Sequence, residues 1–185
     1  MKKLHKLRNQ KGFTIVELLI VIVVIGILAA LVLNAFSGVQ AKARDTKRQT
    51  DVRAISSQLE AYYNGGGNGT YPADTGTTAA PVSPLTDSFA QTNWPGFDIN
   101  AFRPPNNSAS NSVTTGTAAT AAGVVTPYPA GALSSSNDKY VYYPYTGTVG
   151  AASVAPCVAA GTCTHFILNY YSESGSAVQV KLSLN

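Results

Sequence analysis

The alternation of apolar and polar positions divides this 185-residue chain into unequal stretches. A short basic segment comes first. Residues 13–33 are then apolar except for Thr14 and Glu17, and the sixteen residues 18–33 carry no polar side chain. A helix needs roughly 20 apolar residues to cross a bilayer, whereas the apolar part of a cleaved secretory signal is about 7–15 residues long. This run is long enough to span. Beyond Asn34 an amphipathic pattern takes over: Val52, Ile55, Leu59 and Tyr62 recur at spacings of three, four and three, which is one face of a helix. Val39 and Ala43 extend the stripe more weakly. Lys42, Arg44, Asp45, Lys47, Arg48, Asp51, Arg53 and Glu60 occupy the other faces and read as a solvated surface. Three glycines at 65–67 end the helix. A helix over 13–63 would be about 75 Å long, too long for a compact domain of this size, so half of it must project.

Residues 64–139 are rich in Gly, Ala, Ser, Thr, Asn and Pro, and NNSASNSVTTGTAATAAG at 106–123 is close to low complexity. The composition predicts surface loop with little regular structure, pinned to the core by Phe89, Trp94, Phe97 and Phe102. The last fifty residues read as strands: YVYYPY at 140–145, THFILNYY at 164–171 and AVQVKLSL at 177–184. In the third, Val178, Val180, Leu182 and Leu184 alternate with Gln179, Lys181 and Ser183. SESGS at 172–176 is a turn signal, so the last two runs form a hairpin that the first joins in an antiparallel sheet. The stripe from Val52 to Tyr62 is the natural cover for one sheet face. The fold class is α+β: a long N-terminal helix whose second half packs on a C-terminal antiparallel sheet, with a loop-rich middle and a naked, apolar first half.

Composition changes this picture in two places. The formal charge of +4 comes from Lys2, Lys3, Lys6, Arg8 and Lys11; without them eight basic and nine acidic residues remain. The basic balance is therefore no sign of a nucleic-acid surface. Cys157 and Cys163 are the two cysteines. If this part of the chain lies outside the cytoplasm, a disulfide is the default; zinc would need more ligands than His165 could add. No metal site, cofactor motif or nucleotide loop is present in the sequence, and G-x-S-x-G and H-E-x-x-H are absent.

Glu17 is the anomaly. An acid in lipid costs roughly 2–3 kcal/mol on insertion scales, and no Lys or Arg lies between Lys11 and Lys42. Cleavage between Gly12 and Phe13 would create an α-amino group one helical turn before it, a cation at neutral pH. In an assembly staggered along the axis, Glu17 of one copy could pair with the amine of the next, as a register device.

The residues around that acid, Lys11-Gly12-Phe13-Thr14-Ile15-Val16-Glu17-Leu18 followed by an apolar run, resemble the class III signal of type IV prepilins. Leu59-Glu60, Tyr62-Tyr63 and Tyr71-Pro72 resemble the end of pilin and pseudopilin helices. The resemblance covers residues 1–72; beyond them only the architecture is similar. It implies cleavage after Gly12 by a prepilin peptidase, N-methylation of Phe13, and subunit docking through Phe13, Thr14 and Glu17. It implies a cleaved leader at 1–12, a membrane and filament-core half of the helix at 13–36, an amphipathic half at 37–63, and a head at 64–185 with a variable loop region at 64–139 and the sheet at 140–185. Many relatives of this kind carry a proline where the helix loosens in the filament. Here the equivalent is Asn34, with Gly26 and Gly38 as further loosening points.

The implied role is that of a structural subunit, the major pilin of a type IV pilus, held in the cytoplasmic membrane with its N-terminus inside and then polymerised into an extracellular filament. Its implied partners are further copies of itself, the prepilin peptidase, an inner-membrane platform protein, an assembly ATPase and membrane lipid; nothing in the sequence supports nucleic acid as a partner. The alternative is a pseudopilin of a type II secretion system or a minor pilin. Major pseudopilins carry a calcium site in the head, and this tail holds only Asp138 and Glu173 beyond Asp98. A membrane-anchored binding protein or hydrolase is the remote third reading.

Overall fold

A computed structural model describes residues 12–76, 82–107, 113–119, 125–128, 132–147, 157–158 and 162–184. Residues 1–11 of the expected leader, and parts of the 64–139 loop region, lie outside the described residues. Two compact units emerge, one ending at Gln40 and the other beginning at Ala41.

The helix α1 (Ile15–Asn64) begins directly after Thr14 and ends in the glycine turn. Through its first unit every described side chain is exposed. This stretch is long and apolar enough to cross a membrane by length and composition. No proline interrupts it.

In the second unit, Val52, Ile55 and Leu59 are buried among Tyr71, Leu85, Trp94, Phe102, Tyr140, Tyr142, Phe166 and Leu168, as the spacing predicts. Above them lies a five-stranded sheet of order β2-β1-β3-β4-β5: β1 (Val113–Ala119), β2 (Val125–Tyr128), β3 (Tyr140–Tyr145), β4 (His165–Ser172) and β5 (Ala177–Leu182). The three late strands are antiparallel neighbours. Two features depart from expectation. First, the stretch expected to be structureless loop contains β1 and β2, together with a short helix α2 (Asp87–Asn93) and a 3-10 turn at Ile99–Phe102. Secondly, β1 pairs parallel to β3, so the sheet is mixed. Small and β-branched residues supply little apolar pattern, but they suit a pleated surface once a neighbour provides the ladder.

Both faces of the sheet are apolar. Cross-strand pairs Tyr142↔Leu168 and Pro144↔Phe166 lie on the α1 side, while Tyr143↔Ile167 and Ile167↔Leu182 lie on the other. Val178, Val180 and Leu182 therefore pack with Leu133, Val141, Tyr143, Tyr145 and Ile167, away from the helix. Pro144 sits in β3 beyond the last β1 partner, Tyr142. Its carbonyl accepts from Cys157 N–H at 2.8 Å, so its missing donor falls where no ladder continues.

Candidate assembly site

Helix α1 starts on a reciprocal cap. Thr14 N–H donates to Glu17 Oε2 at 2.8 Å, Thr14 Oγ1 donates to the same oxygen at 2.7 Å, and Glu17 N–H donates back to Thr14 Oγ1 at 3.2 Å. This is the capping box of a Thr three residues before a Glu. Phe13 is 87% exposed, and Gly12 and Phe13 precede the helix in irregular, exposed backbone. Glu17 Oε1 takes no hydrogen bond among the described residues, so one face of the carboxylate is open to a further donor. A Cβ added at Gly26 or Gly38 would meet nothing within 4 Å, so no contact inside this chain requires glycine there. The backbone at Asn34 is helical.

The cysteines pair as expected, Cys157 with Cys163, with Cα atoms 5.6 Å apart. Both are buried in the core beside α1. Backbone bonds from Tyr71 N–H to Cys163 O (2.8 Å) and from Asp74 N–H to Cys157 O (2.9 Å) tie the chain that leaves α1 to the disulfide segment. His165 lies in β4 and stacks on Tyr145.

A second constellation goes beyond the sequence expectations. Arg48 is 0% exposed, on the face assigned above to solvent. Its Nε and Nη2 donate to Asp138 at 3.0 and 2.7 Å, its Nη1 to Asp45 at 2.9 Å, and its Nη2 also to Glu173. Arg44 grips Glu173 through Nε and Nη2, the latter at 2.6 Å. Asp45 in turn accepts four bonds from the turn between β4 and β5: Ser172 Oγ, Glu173 N–H, Ser174 N–H and Ser174 Oγ, at 2.6–3.0 Å. Asp51 is buried as well, bound by Lys47 and by Tyr140 Oη. The expected extension of the stripe through Val39 and Ala43 is corrected: both are exposed, and Asp45 and Arg48 continue the buried line instead. A signal is present, since 45, 48, 52, 55 and 59 keep the same three-four spacing; a charged side chain at a stripe position nevertheless reads as surface.

Burial opposes the charges of Glu173, Asp45 and Arg48, but their partners outweigh it. Hydrogen bonds from Arg44, with those from Arg48, hold the Glu173 carboxyl down at about 2. For Asp45, burial works against the charge and the donors of Ser174, Glu173 and Ser172 overcome it, leaving its carboxyl well below the ordinary range. Burial likewise disfavours the Arg48 cation, and Asp138 and Glu173 hold it charged. Asp51 goes the other way: burial raises it, against Lys47 and Tyr140.

Residues 7–33 match the family model described as the prokaryotic N-terminal methylation motif. The chain is similar to type II secretion system core protein G of Dickeya chrysanthemi (44% identical over 55 residues, 30% of this chain and 36% of that protein). It is also similar to the protein of the same name from Vibrio cholerae (37% over 82 residues, 44% and 55%), and to the type IV major pilin protein PilA of Myxococcus xanthus (33% over 56 residues, 30% and 26%). The matched part is thus less than two thirds of each relative. No solved structure matches.

Proposed function

Through its N-terminal segment this chain belongs to the pilin and pseudopilin superfamily, and on that premise we propose that it is the polymerising subunit of a secretion-type pseudopilus. The expectation from sequence puts a major type IV pilin first. The similarity to proteins named core protein G favours the alternative, while the general role of a pilin-class structural subunit is common to both.

The observation that carries the reading is the contrast within α1. Every described side chain over residues 13–33 is exposed, and one half-satisfied carboxylate sits at the start of that surface. In the membrane, lipid covers the apolar surface. After cleavage at Gly12, Phe13 bears an amine that methylation leaves basic. Glu17 accepts this amine from a neighbouring copy through Oε1 while Oε2 keeps its Thr14 bonds. Apolar area then passes from lipid to protein, and the charge pair, which is worth most in a low-dielectric setting, sets the axial step. Unpaired, the acid is costly in lipid; assembly removes that cost.

The test is deletion of the gene, complementation with the wild-type chain or Glu17→Ala, and three readouts: secreted proteins in the medium, sheared surface fibres, and N-terminal mass spectrometry of the chain. Loss of secretion with intact fibres, rescued by a chain beginning at methylated Phe13 and not by Glu17→Ala, is expected. Recovery of the chain as the bulk protein of sheared fibres, with secretion unaffected, selects the major-pilin reading. That second reading has its own support in the similarity to PilA and in Asp138 and Glu173, the two late acids, both being engaged by Arg48. An uncleaved chain confined to membranes would overturn both.

A further inference from the structure

The charges of α1 within the second unit are sorted by depth. Between Ala41 and Leu59 the acids are Asp45 and Asp51, and both are buried. Arg48 is buried with them and is spent on Asp45, Asp138 and Glu173. Arg44 is half-buried and spent on Glu173. The exposed charged side chains of this stretch are Lys42, Lys47 and Arg53, all cations. Lys42 is bound to no acid among the described residues. Lys47 gives one bond to Asp51, with its side chain 46% exposed, and an ammonium has three donors. A stretch whose sequence interleaves both signs therefore shows only positive charge outward.

These cations follow the apolar surface closely along the chain. Phe36 and Val39 are the last exposed large apolar residues before them. A helix over residues 18–39 is about 33 Å long, close to the hydrocarbon thickness of about 30 Å, and the headgroups add about 5–8 Å on each side. Lys42 follows Val39 by three positions and Lys47 by eight, about 5 and 12 Å of helix. Helical side chains lean toward the N-terminus, and the long Lys stem carries its ammonium back the same way. Both ammonium groups then fall at headgroup depth. Arg53, about 21 Å beyond Val39, does not.

The placing around the axis selects the occupant. Five residues separate Lys42 from Lys47, about 140° around a helix. A nucleic-acid duplex or a partner protein would meet one side of α1, whereas a bilayer surrounds it and reaches both. A second copy also has little to offer, because Asp98 is the one exposed acid of the second unit among the described residues. We propose that Lys42 and Lys47 bind the phosphates of acidic phospholipids in the leaflet that faces the head. Anionic lipid attracts basic residues that flank a span. These contacts set the depth of the waiting subunit and break when it leaves the membrane. The proposal rests on the membrane-held stage of the proposed function.

Photolabelling of the full chain in lipid vesicles tests it. Phosphatidylglycerol and phosphatidylcholine, each with a photoreactive headgroup, are compared at equal density. Mass spectrometry maps the adducts, which separates residues 40–48 from the basic leader. Adducts at 40–48 should be at least threefold more frequent with phosphatidylglycerol. That preference should vanish in Lys42→Gln/Lys47→Gln and at high salt, and persist in Lys181→Gln. Lys42→Gln alone leaves the Lys47–Asp51 pair in place and should lose about half of it; should the double variant misfold, this one decides. Equal labelling by the two lipids would overturn the proposal, as would a preference that neither variant reduces. Carbodiimide linkage of Lys42 or Lys47 to Asp98 of a second copy, in place of lipid adducts, would assign the surface to that copy and reject the lipid. A chain that alkaline carbonate strips from the vesicles refutes the membrane-held stage itself; a chain that stays and shows no preference refutes the headgroup contact alone.

Discussion

Replacing Arg48 by Met removes the one cation bound to Asp138, itself 0% exposed, among the described residues. The three acids around Arg48 do not suffer equally. Glu173 keeps Arg44 and the Asn106 amide. Asp45 keeps its four donors from the turn. Asp138 keeps only the Asn106 N–H, at 3.1 Å. The cost therefore concentrates on one buried carboxylate. Removing one partner of a buried pair costs about 3–5 kcal/mol, because the other charge stays behind without compensation. Against a total stability of about 5–15 kcal/mol, Arg48→Met should consume a large share.

A second substitution should rescue this loss selectively. Arg48→Met with Asp138→Asn leaves no unpaired charge and should recover at least half of the loss, whereas Arg48→Met with Asp45→Asn should not, since Asp45 is not the orphan. Trp94 is the single tryptophan and is buried beside Phe102 and Phe97, so its fluorescence reports urea unfolding of the full chain in detergent. A loss below about 1 kcal/mol for Arg48→Met would place the pair among surface salt bridges and refute the account. Equal rescue by both second substitutions would do the same. The loss should also be insensitive to salt, because buried pairs are screened little.

The same assay gives the remaining predictions. Asp45 and Glu173 have folded values below their unfolded ones; their contribution is therefore complete above the unfolded value of about 4 and is lost as pH falls toward the folded Glu173 value of about 2. Asp51 has the opposite sign and weighs against the fold at neutral pH, so urea midpoints should hold steady from pH 7 to 5 and fall below about pH 4, less steeply in Glu173→Gln. Leu59→Ala, at a fully buried position, should cost about 2–5 kcal/mol by the shift in midpoint. Gly67→Ala should cost at least as much as ordinary overpacking, about 1–3 kcal/mol, since a Cβ there would lie 2.2 Å from Thr70 O and 2.7 Å from the Tyr62 ring; Gly66→Ala, whose nearest neighbour is 3.8 Å away, is the control.

What can be read from the sequence is what is periodic or local. Val52, Ile55 and Leu59 repeat on a helical period, and SESGS sits between two apolar runs; spacing alone places both correctly. The β1 strand cannot be read that way, because VTTGTAA has no large apolar alternation and its parallel partner is a strand over twenty residues later. Arg48 escapes for a related reason. Two of its three carboxylate partners lie 90 and 125 residues away; the third, Asp45, is three residues away and reads locally as an ordinary surface pair, so nothing local to Arg48 says that a guanidinium on a helix will be capped by a distant turn. Isolated acids in an acid-poor tail are the available hint: Asp138 and Glu173 have few neighbours of like charge, as suits groups held in place to meet a buried cation.

The distribution of carboxylate partners separates the two halves of α1 in a way that bears on assembly. In the head, Asp45, Asp138 and Glu173 are bound into the Arg48 cluster, Asp51 by Lys47 and Tyr140, Asp74 by Thr115 and two backbone amides, Glu60 by Tyr71 and Leu184 N–H, and Asp87 by Arg103. Asp98 caps a 3-10 turn in open water, where a carboxylate needs no cation. Glu17 alone combines partners confined to a residue three positions away with a place at the start of the exposed apolar stretch. No cation of the described residues is bound to it. The fold thus satisfies its acids internally wherever distant elements meet, and Glu17 keeps one oxygen, without a hydrogen bond among the described residues, that the proposed assembly fills from a second molecule. A donor carried by that molecule's own chain end would stand at the height of Glu17 only if the copies were offset along the helix axis, and for that reason such a pairing dictates a staggered assembly and not a side-by-side one.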